Sequence, residues 1–194
     1  MKRFNLVICL AVILSFLLYS PTTSLAQRGG PPASPKAAVT QTVGADTVVT
    51  IEYSRPGVKG RKIWGDLVPW GLAPGNSYSD GKPFPWRAGA NQNTTFEFSK
   101  DVLIEGKSLA AGKYGIHMLP GEKECVIIFS KNNSGWGSFK YNKEEDALRV
   151  TVTPKDAPHE EWLSFGFDGL SPTSAVANLH WEKVIIPIKI ELAK

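Results

Sequence analysis

Cysteine is nearly absent from this chain. Cys9 lies in an apolar run at the N-terminus and Cys125 stands alone in the remainder. Once the leader is removed no intramolecular disulfide can form, so the core must hold the fold together. Histidine is almost as scarce: His117, His159 and His180 are the only three. That is too thin a ligand supply for a zinc-type centre. His180 and Glu182 share one strand face at a spacing of two, but such a pair reads first as a solvent-facing or hydrogen-bonded histidine. No Gly-x-Ser-x-Gly elbow, His-Glu-x-x-His helix or glycine-rich phosphate loop occurs, and Ser54 and Ser134 lack a recognisable histidine partner. No metal and no cofactor are expected. Basic runs are missing too, which argues against a nucleic-acid partner. Amphipathic helix is missing as well, with a single helical turn conceivable over 142–147.

What is present begins with a leader. Lys2 and Arg3 precede an apolar run from Leu6 to Leu18, and Ser24-Leu-Ala26 forms a small-x-small cleavage site. Residues 1–26 are therefore expected to be a signal peptide, with Gln27 starting an exported chain found in the periplasm or outside the cell and no membrane span after cleavage. Removing Lys2 and Arg3 leaves 20 basic against 18 acidic residues, a net charge of about +2. Residues 27–37 carry three prolines and two glycines and read as a flexible lead-in.

From Ala38 to Lys194 short runs alternate with period two. Val49, Ile51 and Tyr53 share one face, as do Phe96 and Phe98, then Leu148, Val150 and Val152, then Leu163, Phe165 and Phe167, then Ala177, Leu179 and Trp181. Strands are expected over 48–53, 94–98, 124–129, 148–153, 161–168, 174–181 and 183–192, with hairpins between 101 and 116. The run 124–129 is apolar on both faces, as a strand covered on both sides would be, and Cys125 within it is expected to be buried. Pro187 lacks a backbone donor and belongs at an edge or bulge. About nine short strands and no helix predict an all-β, single-domain, mainly antiparallel β-sandwich with one long Gly/Pro/Trp-rich loop.

That loop concentrates the chemistry. Tyr53-Ser-Arg-Pro-Gly-Val-Lys-Gly-Arg-Lys-Ile-Trp-Gly65 and Trp86-Arg-Ala-Gly-Ala-Asn91 supply Arg55, Lys59, Arg61, Trp64, Trp86, Arg87 and Asn91. Guanidinium groups fork onto carboxylates or phosphates, indoles offer flat surfaces, and an amide fixes a hydroxyl. A ligand site for an anionic small molecule or a glycan is one reading, with Arg87 folded back towards Arg55 and left without a partner. The other is a loop pinned by buried guanidinium groups, with Arg55 and Arg87 bonded to loop carbonyls and paired with Glu52 or Glu97. Tyr114, Tyr141, Trp136, Trp162 and Trp181 are further candidates for a carbohydrate platform. Trp181 lies on an inward stripe, whereas Trp162 falls on the outer face.

Taken together, these motifs and Leu67-Val-Pro-Trp-Gly71, the Gly106-to-Gly115 hairpin, Trp136-Gly137 and Leu148-Arg-Val150 resemble the secreted bacterial family known as domain of unknown function 2911, found chiefly in the Bacteroidetes. The resemblance implies export and a β-rich fold, but no reaction, cofactor or ligand. The chain departs from the family pattern in a Gly/Pro/Ser-rich insertion over 72–85, in Gln92 where an acid is usual, and in Cys125 at a position often occupied by tryptophan. The functional expectation is an exported, non-catalytic binding or accessory module. The alternatives are a structural or protein-interaction subunit of the cell envelope and a hydrolase of unrecognised type.

Overall fold

Among the described residues, period-two alternation is realised as ten strands in two antiparallel sheets. The computed structural model describes residues 32–193. The expected signal peptide, and the expected lead-in as far as residue 31, lie outside these residues. The strands are β1 (Lys36–Val43), β2 (Thr47–Ser54), β3 (Thr94–Phe98), β4 (Val102–Ile104), β5 (Lys107–Leu109), β6 (Gly112–Pro120), β7 (Cys125–Ser130), β8 (Asp146–Val152), β9 (Lys155–Asp168) and β10 (Ser174–Leu192). One sheet has the order β1-β2-β3-β6-β7-β8, the other β5-β4-β10-β9. The protein is an all-β sandwich.

The core lies between the sheets and is made by the alternating residues. Val49 and Ile51 of β2, Phe96 and Phe98 of β3, Ile116 and Met118 of β6, and Ile127 and Phe129 of β7 are all buried. They meet Leu163 and Phe165 of β9 and Leu179, Ile186, Ile188 and Ile190 of β10. Phe96 joins the layers: its ring packs against Phe129 at 5.9 Å in its own sheet and against Phe165 at 5.7 Å in the other. Burying each such side chain contributes about 1.5–3 kcal/mol, so a core of this extent supplies the cohesion that disulfides do not.

Four departures from the sequence reading have local causes. Strand β1 precedes the first expected strand and begins inside the expected lead-in, where Lys36 and Ala37 pair with Ser54 and Tyr53. Strand β9 starts at Lys155, where its largely exposed residues carry no apolar alternation. The two last expected strands are one strand, β10, whose pairing with β9 shifts register on both sides of Glu182. Buried positions are odd-numbered up to Trp181 and even-numbered from Ile186, and Glu182 has φ of 56°. A bulge thus switches the inward face without ending the strand. The bulge also separates His180 from Glu182, and His180 Nε2 donates to Pro158 O at 2.9 Å. Finally, the helical content of the described residues is two short 3-10 turns, Lys143–Glu145 within the expected stretch and Ser77–Ser79 in the insertion. Pro187 falls where β10 has left β9, after Ile185, and has not yet met β4, at Ile190, so its missing donor breaks no ladder. No helix among the described residues is long and apolar enough to cross a membrane.

Cys125 and Ile128 of β7 are both fully buried. Ile128 lies in a cross-strand row with His117 and Arg149, on the face turned away from the main core. The segment linking β7 to β8 covers this row, setting Ser138 and Tyr141 against His117.

Candidate functional site

Residues 55–93 leave β2 and return at β3, and backbone bonds fasten this long loop to both sheets. Val58 N donates to Glu161 O and Leu163 N to Pro56 O, joining its start to β9. Trp86 and Met118 exchange backbone bonds at 2.9 and 2.7 Å, so Trp86 takes the place beside β6 that β3 vacates. Within the loop Lys59, Asp80, Ala88 and Asn91 have φ of 48°, 53°, 52° and 61°. Four non-glycine residues in the left-handed region mark a conformation imposed by the surrounding contacts.

The seven candidate residues do not form one group. Arg55 is a fastener: its Nε donates to Leu163 O at 2.8 Å and its Nη2 to Trp162 O at 3.4 Å, with Glu160 at 3.8 Å. Arg55 and Arg87 therefore have separate partners, and neither pairs with Glu52 or Glu97, which instead flank Lys113. Trp64 is a packing residue. Its ring meets Trp86 and Trp181 edge-on, with centroids at 5.7 and 6.2 Å, while Trp86 and Trp181 stack at 6.1 Å.

The other five line one cleft. Lys59, Arg61, Trp86, Arg87 and Asn91, with Trp181 and Phe139, surround a cavity of about 560 Å³. Among the described residues its wall holds three cationic side chains and no aspartate or glutamate. Arg61 is exposed and uses Nε and Nη2 on the carbonyls of Val58 and Gly57, at 3.1 and 2.5 Å. Arg87 is half-buried and donates from Nη1 to Asn91 O at 2.8 Å. Its Cζ lies 4.7 Å from the Phe139 ring centroid, and no carboxylate among the described residues lies within ion-pairing distance. Burial without a counter-charge pushes the Arg87 guanidinium below its ordinary value. The indole N–H of Trp181 is buried and has no hydrogen-bond partner among the described residues.

The insertion at 72–85 helps to wall this cleft. Ala73 and Phe84 exchange backbone bonds at 2.8 and 3.2 Å, closing a small hairpin. Inside it, Asn76 caps the 3-10 turn by accepting from Tyr78 N and Ser79 N. Tyr78 and Phe84 pack on Phe139 at 5.4 and 5.0 Å, and Asp80 pairs with Lys140 at 2.6 Å.

On the other side of Phe139 is a smaller cavity of about 230 Å³, lined by Tyr78, Asn93, His117, Trp136 and Tyr141 among others. His117 Nδ1 lies 2.6 Å from Ser138 Oγ. Burial pushes its imidazole down to about 4, Arg87 acts in the same direction, and Asp146 opposes. His117 is thus neutral near pH 7. Asp146 itself accepts from the Tyr141 hydroxyl and from Arg149 Nε at 2.6 Å. Ser138 is only 1% exposed, so its hydroxyl orients the imidazole from behind. In the sequence His117 counts only as one of three histidines, too few for a metal centre; among the described residues no group of three potential ligands is placed to hold a metal ion. The pairing with Ser138 left no trace in the sequence.

The match to the family model described as "Protein of unknown function (DUF2911)" extends over residues 34–190, most of the chain, and so takes in nearly all of the residues that line the two clefts. The chain belongs to this family. No curated protein and no solved structure matches it. Within this DUF2911 chain the motif residues thus divide by role: Arg55 and Trp64 hold the loop, whereas Lys59, Arg61, Trp86, Arg87 and Asn91 face a cavity.

Proposed function

We propose that this protein is an exported, non-catalytic binding module whose larger cleft takes an anionic ligand, a small acid or an acidic glycan. The observation that carries the reading is a cleft of about 560 Å³ with Lys59, Arg61 and Arg87 in its wall and no acidic side chain among the described residues there. Uncompensated cations in a partly desolvated cavity favour a ligand that brings the missing negative charge. Trp86 and Phe139 add flat apolar surface for the ligand's carbon skeleton, and the unpartnered Trp181 N–H is a donor.

The test is a thermal-shift and calorimetric comparison of wild type, Arg61→Ala and Arg87→Ala with inorganic phosphate, citrate and oligogalacturonate. Wild type should be stabilised by at least one of them, less so at high salt, and both variants should lose the effect. No response of wild type to any of the three, or an undiminished response in both variants, would refute the reading. Export belongs to the same proposal: mass spectrometry of the secreted form should find a chain starting at Gln27, and an intact membrane-embedded chain would contradict it.

A second reading, an envelope protein-interaction subunit, is favoured by one observation. Leu67, Trp70 and Leu72 lie close in sequence on the loop and are 44%, 42% and 50% exposed, a concentration of apolar surface of the kind partners cover. Cross-linking in whole cells, lost on joint replacement of Leu67 and Leu72 by serine, would support it.

A further inference from the structure

We infer that the smaller cavity beyond Phe139 is a second binding site, for a single uncharged sugar ring held against Trp136 with its hydroxyls on Asn93 and His117. This site stands on its own observations and does not depend on the reading of the cation-lined cleft.

Size comes first. About 230 Å³ is below the roughly 300–1,000 Å³ of cavities that take drug-sized ligands, so the space suits one ring. Chemistry comes next. Trp136 is 60% exposed and Tyr78 is 70% exposed, yet both border the same recess. Aromatic faces carry negative potential and attract the slightly positive C–H edge of a pyranose. Aromatic rings left open at a cavity rim, when others in this chain pack inside, are placed for that contact.

The polar groups complete the match. Asn93 is only 8% exposed, and its Nδ2 is used on Asn132 O at 3.3 Å, but its buried Oδ1 has no hydrogen-bond partner among the described residues. A buried acceptor left unpaired costs about 1–3 kcal/mol, and a sugar hydroxyl would supply the missing donor. His117, held through Nδ1 by Ser138, has no partner among the described residues on its other ring nitrogen. A neutral imidazole fixed at one nitrogen offers the other to a hydroxyl.

Charge decides against an ion. The lining has one cation and one acid, Lys140 and Glu145. Lys140 is occupied by Asp80 and Glu145 accepts from Asn132 Nδ2 at 3.3 Å. A neutral polyhydroxyl ring fits this balance, in contrast to the cleft across Phe139.

The experiment follows the Trp136 indole N–H resonance by NMR, assigned from its absence in Trp136→Phe. The full exported protein is titrated with the methyl glycosides of glucose, galactose, mannose and N-acetylglucosamine. At least one should shift the resonance in a saturable manner. Trp136→Ala, at an exposed position where folding is not at stake, should weaken binding of that glycoside about tenfold or more as read by ligand-detected NMR. Arg61→Ala should leave it unchanged. Failure of all four glycosides to move the resonance would overturn the inference. So would equal binding by Trp136→Ala, or loss of sugar binding in Arg61→Ala, which would place the sugar in the cation-lined cleft.

Discussion

Arg87 and Phe139 form a stacked pair, with the guanidinium carbon 4.7 Å from the ring centroid, and the same guanidinium lies against Gly137. Gly137 has φ of 68°, and a Cβ built there would overlap the Arg87 guanidinium. Gly137→Ala is therefore expected to destabilise the protein by about 1–3 kcal/mol through crowding and left-handed backbone strain. The same change should displace Arg87 and so weaken anion binding. Urea midpoints, with the thermal-shift assay run alongside, check both effects.

Arg87→Ala should cost stability as well as binding. Its bond to Asn91 O and its stacking on Phe139 exist without ligand, so the expectation of an unpartnered Arg87 is corrected by the structure. A loss of about 1–2 kcal/mol is expected from the cation–π contact and the hydrogen bond together. An unchanged denaturant midpoint would show that the stack contributes nothing in solution.

Trp64→Ala should act on the fold alone. Trp64 packs edge-on to Trp86 and Trp181, and removing it should cost about 3–5 kcal/mol. Trp64→Phe, which keeps an aromatic ring in that place, is expected to retain anion binding. A selective loss of binding in Trp64→Phe with unchanged stability would return Trp64 to the list of ligand contacts.

His117 makes stability depend on acidity. Its folded value of about 4 lies below the ordinary 6.5, so between these limits the unfolded chain binds the extra proton. The contribution is complete above about pH 6.5, falls as the pH drops, and is gone below about pH 4, a change of about 3 kcal/mol. Arg87 reinforces this dependence and Asp146 moderates it. Urea midpoints across this range should rise with pH in wild type and rise less steeply in His117→Gln.

Cys125 should resist modification. It is fully buried, and burial pushes its thiol up to about 12, so thiolate is scarce at neutral pH. A colourimetric thiol reagent should label it only after denaturant is added. Prompt labelling of the native protein would show that β7 opens readily.

The β-sandwich was legible because most strands have one wet and one dry face, as Val49, Ile51 and Tyr53 show. It became illegible where that rule lapses. The bulge at Glu182 moves β10 from odd to even buried positions, which in sequence looks like the end of one strand and the start of another. The first half of β9 has little to bury and so gave no signal. The arginines and tryptophans were legible as a concentration, but their division was not. Arg55 is a fastener because the carbonyls of Trp162 and Leu163, more than a hundred residues onward, reach it. The His117–Ser138 pair depends on the β7–β8 link crossing the outer face of the sheet, a tertiary event that no local spacing encodes.

The reciprocal backbone bonds between Ala73 and Phe84 give the insertion an architectural independence. Its two ends meet, so the strands register only a closed stem, whatever its length beyond that point. Asn76, Ser77, Tyr78 and Asp80 can then vary, shorten or lengthen without disturbing the pairing of β2 with β3 or β6 with β7. This segment is a detachable lip on an otherwise length-intolerant frame, since one residue added to β10 would turn its inward isoleucines to face outward. The ground around Phe139 can thus be reshaped by exchanging this cassette, and the sandwich beneath stays the same.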